Sequence, residues 1–199
     1  QRLVVGKTAV NRGKVMHFLQ SEAWQNFQKE LGRKTFRQSG DGWEYLAILE
    51  QGQGNSRLYC PYGPSFDSQK SFKSAIKSLT ELGKKLNVTF VRIEPIDTAV
   101  VHYLRDNHWR KVDYQSLNPE HTVVVDLSPS IDEIISRMAQ TNRNVYRNYS
   151  KKGVILHSST DPGDINMFLD LIKKVATRTG MKPHSDGYFT AQAKALFPL

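Results

Sequence analysis

Hydrophobic positions in the first half of the chain alternate between the spacing of helices and that of strands. Ser21 precedes a helical pattern that stops at Gly32, and strand-like runs then cover residues 43–49 and 57–60. The connection between these runs contains glycine and asparagine, which is typical of a hairpin. The pattern therefore predicts one helix followed by an antiparallel pair of strands.

The next part of the first half predicts a helix that leads into a strand. Apolar residues keep helical spacing over residues 72–86, and the β-rich run at 88–93 closes at Glu94 and the proline that follows it. Asp97 is placed to cap a short helix, after which residues 109–112 predict a further strand. We therefore expect a mixed sheet with helices, in the α/β (α+β) class.

A linker at residues 118–120 divides the pattern in two. The continuous β-branched run that follows, at residues 121–127, is of the kind found in buried strands. We therefore predict two domains, over residues 1–119 and 120–199, and a strand at the start of the second.

The second half is mostly helical in pattern. Ser130 and Glu133 have the spacing of a capping box, so the basic segment after them continues a helix or closely follows one. Gly153 ends that segment, and residues 154–156 predict a strand. A helix that begins at residues 161–162 should stop at Gly180, and a last helix should begin near Ser185 or the next residue.

Positive charge is concentrated between Glu133 and Asp161, where five Lys and Arg occur without any acid. Arg143, Arg147 and Lys151 recur every fourth residue, which places them on one helical face. Such a face attracts phosphate or RNA, and the alternative is a solvated basic stripe. The spacing alone leaves both interpretations open.

The composition is that of a globular protein with an anionic partner. The 199 residues are 39% hydrophobic and carry a formal net charge of +9, which favours nucleic acid, a nucleotide-linked substrate or an acidic membrane surface. Cys60 is the only cysteine, which excludes an internal disulfide and a cysteine-based zinc site, so the cytoplasm is the expected compartment. Because the chain does not begin with Met and ends in an apolar helical pattern, we expect residues to be missing at both ends.

Motifs of several large enzyme classes are absent, among them the Walker loop and the nucleophile elbow. His102 and His108 lack the spacing of metal ligands, and we predict no metal site. Glu94 stands at the C-terminal end of a predicted strand, where crevices form in such sheets, and is a candidate to accept a proton from an amine. The alternative is an exposed carboxylate at a turn.

Six short segments, in the same order, resemble those of the Fem-type (FemABX) peptidyltransferases. These enzymes build the interpeptide bridge of bacterial peptidoglycan with aminoacyl-tRNA as the donor. The segments, which together span nearly the whole chain, are 20–24 (QSEAW), 59–64 (YCPYGP), 91–95 (VRIEP), 123–127 (VVVDL), 142–153 (NRNVYRNYSKKG) and 178–189 (RTGMKPHSDGYF).

The resemblance implies a tandem of acetyltransferase-like (GNAT) domains, the second incomplete, so that this chain alone is expected to be inactive. The implied reaction belongs to peptidoglycan synthesis, and hence to cell-wall biogenesis and cell shape. A stem-peptide amine attacks the ester that joins an amino acid to tRNA. Because that ester is already activated, the protein has to position the reactants and move a proton, and no cofactor is implied.

The resemblance also implies roles for individual residues. Glu94 matches an acid proposed to assist the amine, which makes it the candidate catalytic base. Tyr188 matches a tyrosine that contacts the sugar-nucleotide peptide, and His184 falls where some members place an arginine on the diphosphate. Gln28 stands where some members have a phosphate-binding lysine, with Lys29 as its neighbour. These departures make a UDP-linked and a lipid-linked muropeptide precursor equally expected as acceptor.

Basic residues matching recurrent family positions are assigned to tRNA or phosphate binding. Arg143 and Arg147 match directly and Lys151 completes the row, whereas Arg178 recurs too but has the alternative of capping its helix. The expected partners are aminoacyl-tRNA and the muropeptide precursor. A lipid-linked acceptor would bring the protein to the membrane surface, and an exposed edge of the incomplete domain would favour a homodimer.

Two other functions remain open from the sequence. The same fold would also serve a related acyltransferase that acts on a protein N-terminus or an envelope polysaccharide. The basic charge would also suit a nucleic-acid-binding module without enzymatic activity.

Overall fold

The computed structural model describes residues 17–52, 54–112, 117–118 and 125–196. The chain forms two compact units, one made of residues 1–111 and 162–199 and the other of residues 112–161. The predicted domain boundary lies at residues 119–120, outside the described residues, so the domains over residues 1–119 and 120–199 remain a prediction. The α+β class with a mixed sheet is confirmed.

The first unit contains the sheet. Its elements, in chain order, are α1 (Glu22–Glu30), β1 (Lys34–Gly40), β2 (Trp43–Gln51), β3 (Ser56–Cys60), β4 (Ser65–Phe66), α2 (Gln69–Lys85), β5 (Phe90–Ile93), α3 (Val101–Asp106), α6 (Ile165–Thr179) and α7 (Asp186–Leu196). The two helices between α3 and α6 belong to the second unit.

The strands lie in the order β1-β2-β3-β5, and the short β4 pairs with β2. Neighbours are antiparallel except for β3 and β5, which run parallel, with Tyr59 opposite Arg92. The hairpin of β2 and β3 was predicted, whereas β1 was not, because its seven residues are mostly polar and lack a clear apolar alternation.

Helix α2 covers one face of the sheet and forms a hydrophobic core with it. Tyr45, Ala47, Leu58 and Cys60 of the sheet are buried against Leu79 and Leu82 of the helix. Side chains alternate between the two faces of a strand, so Arg57, Tyr59 and Arg92 point to the face opposite α2. That opposite face carries the polar groups described below.

The predicted caps at Ser21 and Asp97 are confirmed, whereas α6 begins after the predicted residues 161–162. The Ser21 hydroxyl accepts a hydrogen bond from the Trp24 backbone N–H at the start of α1, and Asp97 accepts one from Ala99 before α3. Helix α6 follows a 3-10 turn at Pro162–Asp164 and ends at Gly180, which adopts the left-handed conformation with φ of 72°. Helix α7 begins at Asp186, as predicted.

The strand predicted at residues 109–112 is wrong. The Trp109 backbone N–H donates to the Leu104 carbonyl oxygen and thereby closes the end of α3, and its ring packs against the cluster of Phe72, Ile76 and Val100. Its apolar character therefore serves the core of the unit rather than a strand.

The second unit contains α4 (Ile131–Arg137), α5 (Gln140–Asn148) and a 3-10 turn at Ser150–Lys152. Ser130 and Glu133 form the predicted capping box, and extended backbone at Met138 and Ala139 separates α4 from the basic segment. Gly153 ends the 3-10 turn with φ of 73°.

Of the two strands predicted in this unit, one is wrong and the other lies mostly outside the described residues. Residues 154–156 have no strand structure and are exposed, since the described part of the unit offers no strand to pair with them. Of the run at residues 121–127, the first four lie outside the described residues and the last three are irregular.

Candidate functional site

Glu94 lies where the parallel strands β3 and β5 end together. Its backbone N–H donates to the Cys60 carbonyl oxygen across 3.2 Å, which joins the two strand ends. Carboxyl ends of parallel strands are a common place for ligand sites in open sheets. The fold thus places this carboxylate beside the loop that follows β3.

Two side chains on the same sheet face hold the Glu94 carboxylate. The Tyr59 hydroxyl donates to Glu94 Oε2 at 2.7 Å, and Arg92 Nη2 lies 3.3 Å from Glu94 Oε1. The Arg92 and Glu94 side chains are only 10% and 20% exposed. A charged pair this far from water is strengthened relative to a surface pair, and each oxygen has a donor of its own.

Tyr59 itself is enclosed by cationic groups. The guanidinium carbons of Arg57 and Arg92 lie 5.7 and 5.9 Å from the centre of its ring, within the range of cation–π contacts. Burial, followed by the hydrogen bond to Glu94, raises the pKa of Tyr59 far above its usual value. The phenol therefore stays protonated and remains a donor at every physiological pH.

The loop after β3 contributes a further aromatic group. Tyr62 has a φ of 46°, which is rare for a bulky residue, and its ring stacks on that of His17 with centroids 4.0 Å apart. Burial and the nearby charge of Glu94 raise the pKa of Tyr62, and burial lowers the pKa of His17. Strained non-glycine backbone clusters at functional sites, so this loop extends the candidate site.

A second group of aromatic side chains joins α7 to α1. His184 stacks on Tyr188 at 4.0 Å, and the Tyr188 ring packs edge-on against Phe27 at 5.1 Å. Burial raises the pKa of Tyr188, against an opposing effect of the Arg33 charge. The predicted pair of His184 and Tyr188 is therefore brought together, close to Arg33.

Gln28 and Lys29 have different environments although they are neighbours in α1. Gln28 is 1% exposed, and its Oε1 accepts a hydrogen bond from Arg33 Nη1 at 2.8 Å. Lys29 is exposed in the last turn of the helix. In this cluster the exposed cation beside Tyr188 is Arg33, a residue that no pattern in the sequence indicated.

A row of polar side chains connects the two groups across the sheet face. Arg33 lies 3.9 Å from Glu50, and Glu50 forms a 2.6 Å ion pair with Arg57, whose guanidinium lies over Tyr59. The row therefore runs from Gln28 to Glu94. Arg57 with Tyr59, and Arg92 with Glu94, each stand two residues apart, and this strand spacing was the available signal that they share a face.

The predicted basic row lies in the second unit. Arg143 and Arg147 are on α5, whereas Lys151 belongs to the 3-10 turn that follows, so the three do not share one continuous α-helix. Arg143 Nη1 donates to the Ser136 carbonyl oxygen at 3.0 Å, near the end of α4. Arg147 and Lys151 are exposed, and the rings of Tyr146 and Tyr149 lie 6.3 Å apart.

Three further features concern Arg178, metal binding and membrane spanning. Arg178 lies exposed in the last turn of α6. Across the described residues, no group of three or more His, Cys, Asp or Glu is arranged to hold a metal ion. Among the helices of that same described part, none combines the length and apolarity that crossing a bilayer requires.

No protein-family model matches the chain, and no curated protein matches it either.

Proposed function

We propose that the chain is part of an aminoacyltransferase that moves an amino acid from aminoacyl-tRNA to an amine on the stem peptide of a peptidoglycan precursor. The observation that carries this proposal is the Glu94 carboxylate, held by Tyr59 and Arg92 at the ends of two parallel strands. It stands where the resemblance to the Fem-type peptidyltransferases expects an acid that assists the amine.

The proposed reaction requires one proton acceptor, and Glu94 supplies it. The amine nitrogen attacks the ester carbonyl carbon, an amide bond forms, and the bond from that carbon to the ribose oxygen breaks. Glu94 accepts the proton that the nitrogen loses, and the proton ends on the departing ribose hydroxyl.

The proposed architecture is a tandem of acetyltransferase-like domains. The mixed sheet, with its parallel β3 and β5 connected through α2, supports the first of them. The resemblance supports the second, and the complete protein, rather than this chain alone, is the proposed enzyme.

Surfaces of both units suit the two proposed substrates. In the first unit, Tyr188, His184 and Arg33 offer stacking and positive charge to the acceptor, and Lys29 adds an exposed cation nearby in sequence. In the second, Arg147 and Lys151 offer cations to the phosphates of tRNA. The formal net charge of +9 favours both encounters.

The test is a transfer assay with the full-length protein. A panel of tRNAs charged with radiolabelled amino acids is combined with UDP-linked and with lipid-linked muropeptide precursors, and label in the precursor is counted. We expect at least one pair to give enzyme-dependent transfer. Failure of every pair would overturn the proposal, and tight salt-sensitive binding of uncharged generic RNA in the same preparation would favour the nucleic-acid-binding alternative.

A further inference from the structure

Resting on the proposed function, we infer that Tyr59 is a positioning residue, which fixes the direction in which Glu94 presents its carboxylate to the amine. The Tyr59 hydroxyl is 2.7 Å from Glu94 Oε2, and the residue is 7% exposed. No motif or composition in the sequence assigns this role to Tyr59.

The surroundings of Tyr59 leave its ring little freedom. It lies in β3 between antiparallel β2 and parallel β5, directly opposite Arg92 in the β5 register. Arg57 and Arg92 both contact the ring, and Arg57 is itself held by a 2.6 Å ion pair with Glu50. A side chain held by two strands and two guanidinium groups acts as a rigid support for its partner.

Its partner needs such a support. Glu94 follows the last residue of β5, and its backbone N–H is tied to the Cys60 carbonyl oxygen, a bond that leaves the direction of the side chain open. Tyr59 restrains Oε2 while Arg92 restrains Oε1, so together they select one rotamer and one orientation of the carboxylate plane. A misplacement of about 1 Å at a reacting group can reduce a rate by about 100-fold.

The protonation state of Tyr59 suits positioning rather than proton transfer. Burial and the Glu94 contact raise its pKa far above the usual value, so the hydroxyl keeps its proton and donates at all working pH values. The proton released by the amine therefore goes to Glu94, and Tyr59 does not exchange it.

The experiment is a double-mutant cycle in the transfer assay with the full-length protein. It compares wild type, Tyr59→Phe, Glu94→Gln and the double variant, with Tyr45→Phe as the matched control. Tyr45 is also a buried strand tyrosine, but its hydroxyl bonds to Gln38 and Ser78, on the α2 side of the sheet.

We expect Tyr59→Phe to lower kcat about 10- to 100-fold, with the KM for aminoacyl-tRNA unchanged. The double variant should be no slower than Glu94→Gln, because the effect of Tyr59 passes through Glu94. Tyr45→Phe should keep the wild-type kcat, although it should lose about as much thermal stability as Tyr59→Phe does.

Three outcomes would overturn the inference. Wild-type kcat in Tyr59→Phe, while Glu94→Gln is slow, would remove Tyr59 from the site and leave the proposed function intact. Losses that multiply in the double variant would show that Tyr59 acts independently of Glu94. Absence of transfer by the wild type would instead overturn the proposed function, and the role of Tyr59 with it.

Discussion

At the scale of single residues, Cys60 shows how burial at the centre of the sheet changes the chemistry of a side chain. The thiol is fully buried against α2, with the Gln20 amide nitrogen 3.8 Å away. Burial raises its pKa from the usual 9.0, an effect that the Gln20 contact opposes and the Glu94 charge reinforces. The thiolate is therefore disfavoured in the folded state, and Cys60 is a core residue rather than a nucleophile.

This environment predicts a loss of stability in alkali. A raised folded pKa contributes stability that is complete below pH 9.0 and is lost as the pH rises above it, because the unfolded chain releases the proton first. By pH 10 the loss from this one group should reach about 1.4 kcal/mol in the free energy of unfolding. Urea unfolding between pH 8 and pH 10 measures it.

The control is Cys60→Ala, for which the change of unfolding free energy with pH is compared with that of the wild type, rather than the absolute stability. Its unfolding free energy should fall less steeply over this interval than that of the wild type, and the buried tyrosines contribute equally to both proteins because only the thiol differs. Parallel slopes in the two proteins would show that the thiol is not responsible.

Single residues also mark the limit of prediction from sequence at the site. Glu94 could be proposed because a proline follows it at the end of an apolar run. Tyr59, Arg92 and Arg33 could not, since their roles depend on the pairing of β3 with β5 and on the turn between α1 and β1. Spacing within each strand indicates which side chains share a face, but neither the pairing of the two strands nor the turn leaves a local signal in the chain.

At the scale of elements, α2 lies unusually close to β5 because of Gly83. A Cβ at this position would stand 2.7 Å from Val91 Cγ2 and 3.3 Å from Val88 Cγ2. Gly187 in the first turn of α7 has no such neighbour, the nearest atom being 4.0 Å away. Comparing alanine substitutions at these two glycines therefore distinguishes the effect of packing from the effect of helix propensity.

Gly83→Ala should destabilise the protein by about 1–3 kcal/mol, because overpacking outweighs the gain of up to about 1 kcal/mol in helix propensity. Gly187→Ala should leave stability unchanged or raise it by up to about 1 kcal/mol. Chemical denaturation of both variants tests the pair. Stabilisation by Gly83→Ala would contradict the close approach of α2 to the sheet.

Helix α5 is the element on which the proposed tRNA contact depends. Arg147→Glu should weaken binding of tRNA to the full-length protein about fivefold and reduce the slope of log affinity against log salt by about one, because one phosphate contact is lost. Its melting temperature should stay close to wild type, since Arg147 is exposed.

Lys70→Glu serves as the matched control, because it makes the same charge change at an exposed position on α2. Filter binding over a salt series compares the two variants. Equal losses in both would assign the effect to net charge, and an unchanged affinity for Arg147→Glu would make the row a solvated surface.

Elements with strong periodicity and clear caps could be predicted well, and those that depend on partners could not. Helices α1, α2, α6 and α7 carry their boundaries in local residues such as Ser21 and Gly180. The predicted strands at residues 109–112 and 154–156 failed, because apolar content alone cannot supply a neighbouring strand. Strand β1 was missed for the opposite reason: its sequence is polar, and pairing with the neighbouring β2 stabilises it as a strand.

At the scale of the whole molecule, the proposed function depends on the amine of the acceptor meeting an activated ester beside Glu94. The first unit presents two groups of side chains for this, one around Glu94 and one around Tyr188, with a row of polar side chains between them. Sequence order could identify both groups, but only the fold shows that Glu50 and Arg57 connect them. The amine is the feature that separates this reaction from simple RNA binding.

The most direct test uses two forms of one acceptor with the full-length protein. Label transfer from aminoacyl-tRNA is measured to a muropeptide precursor with a free side-chain amine and to the same precursor acetylated on that amine. We expect transfer only to the free amine, slowed at least about 100-fold by Glu94→Gln and unaffected by Glu81→Gln on the exposed face of α2. Equal labelling of both precursors, or labelling of neither, would contradict it.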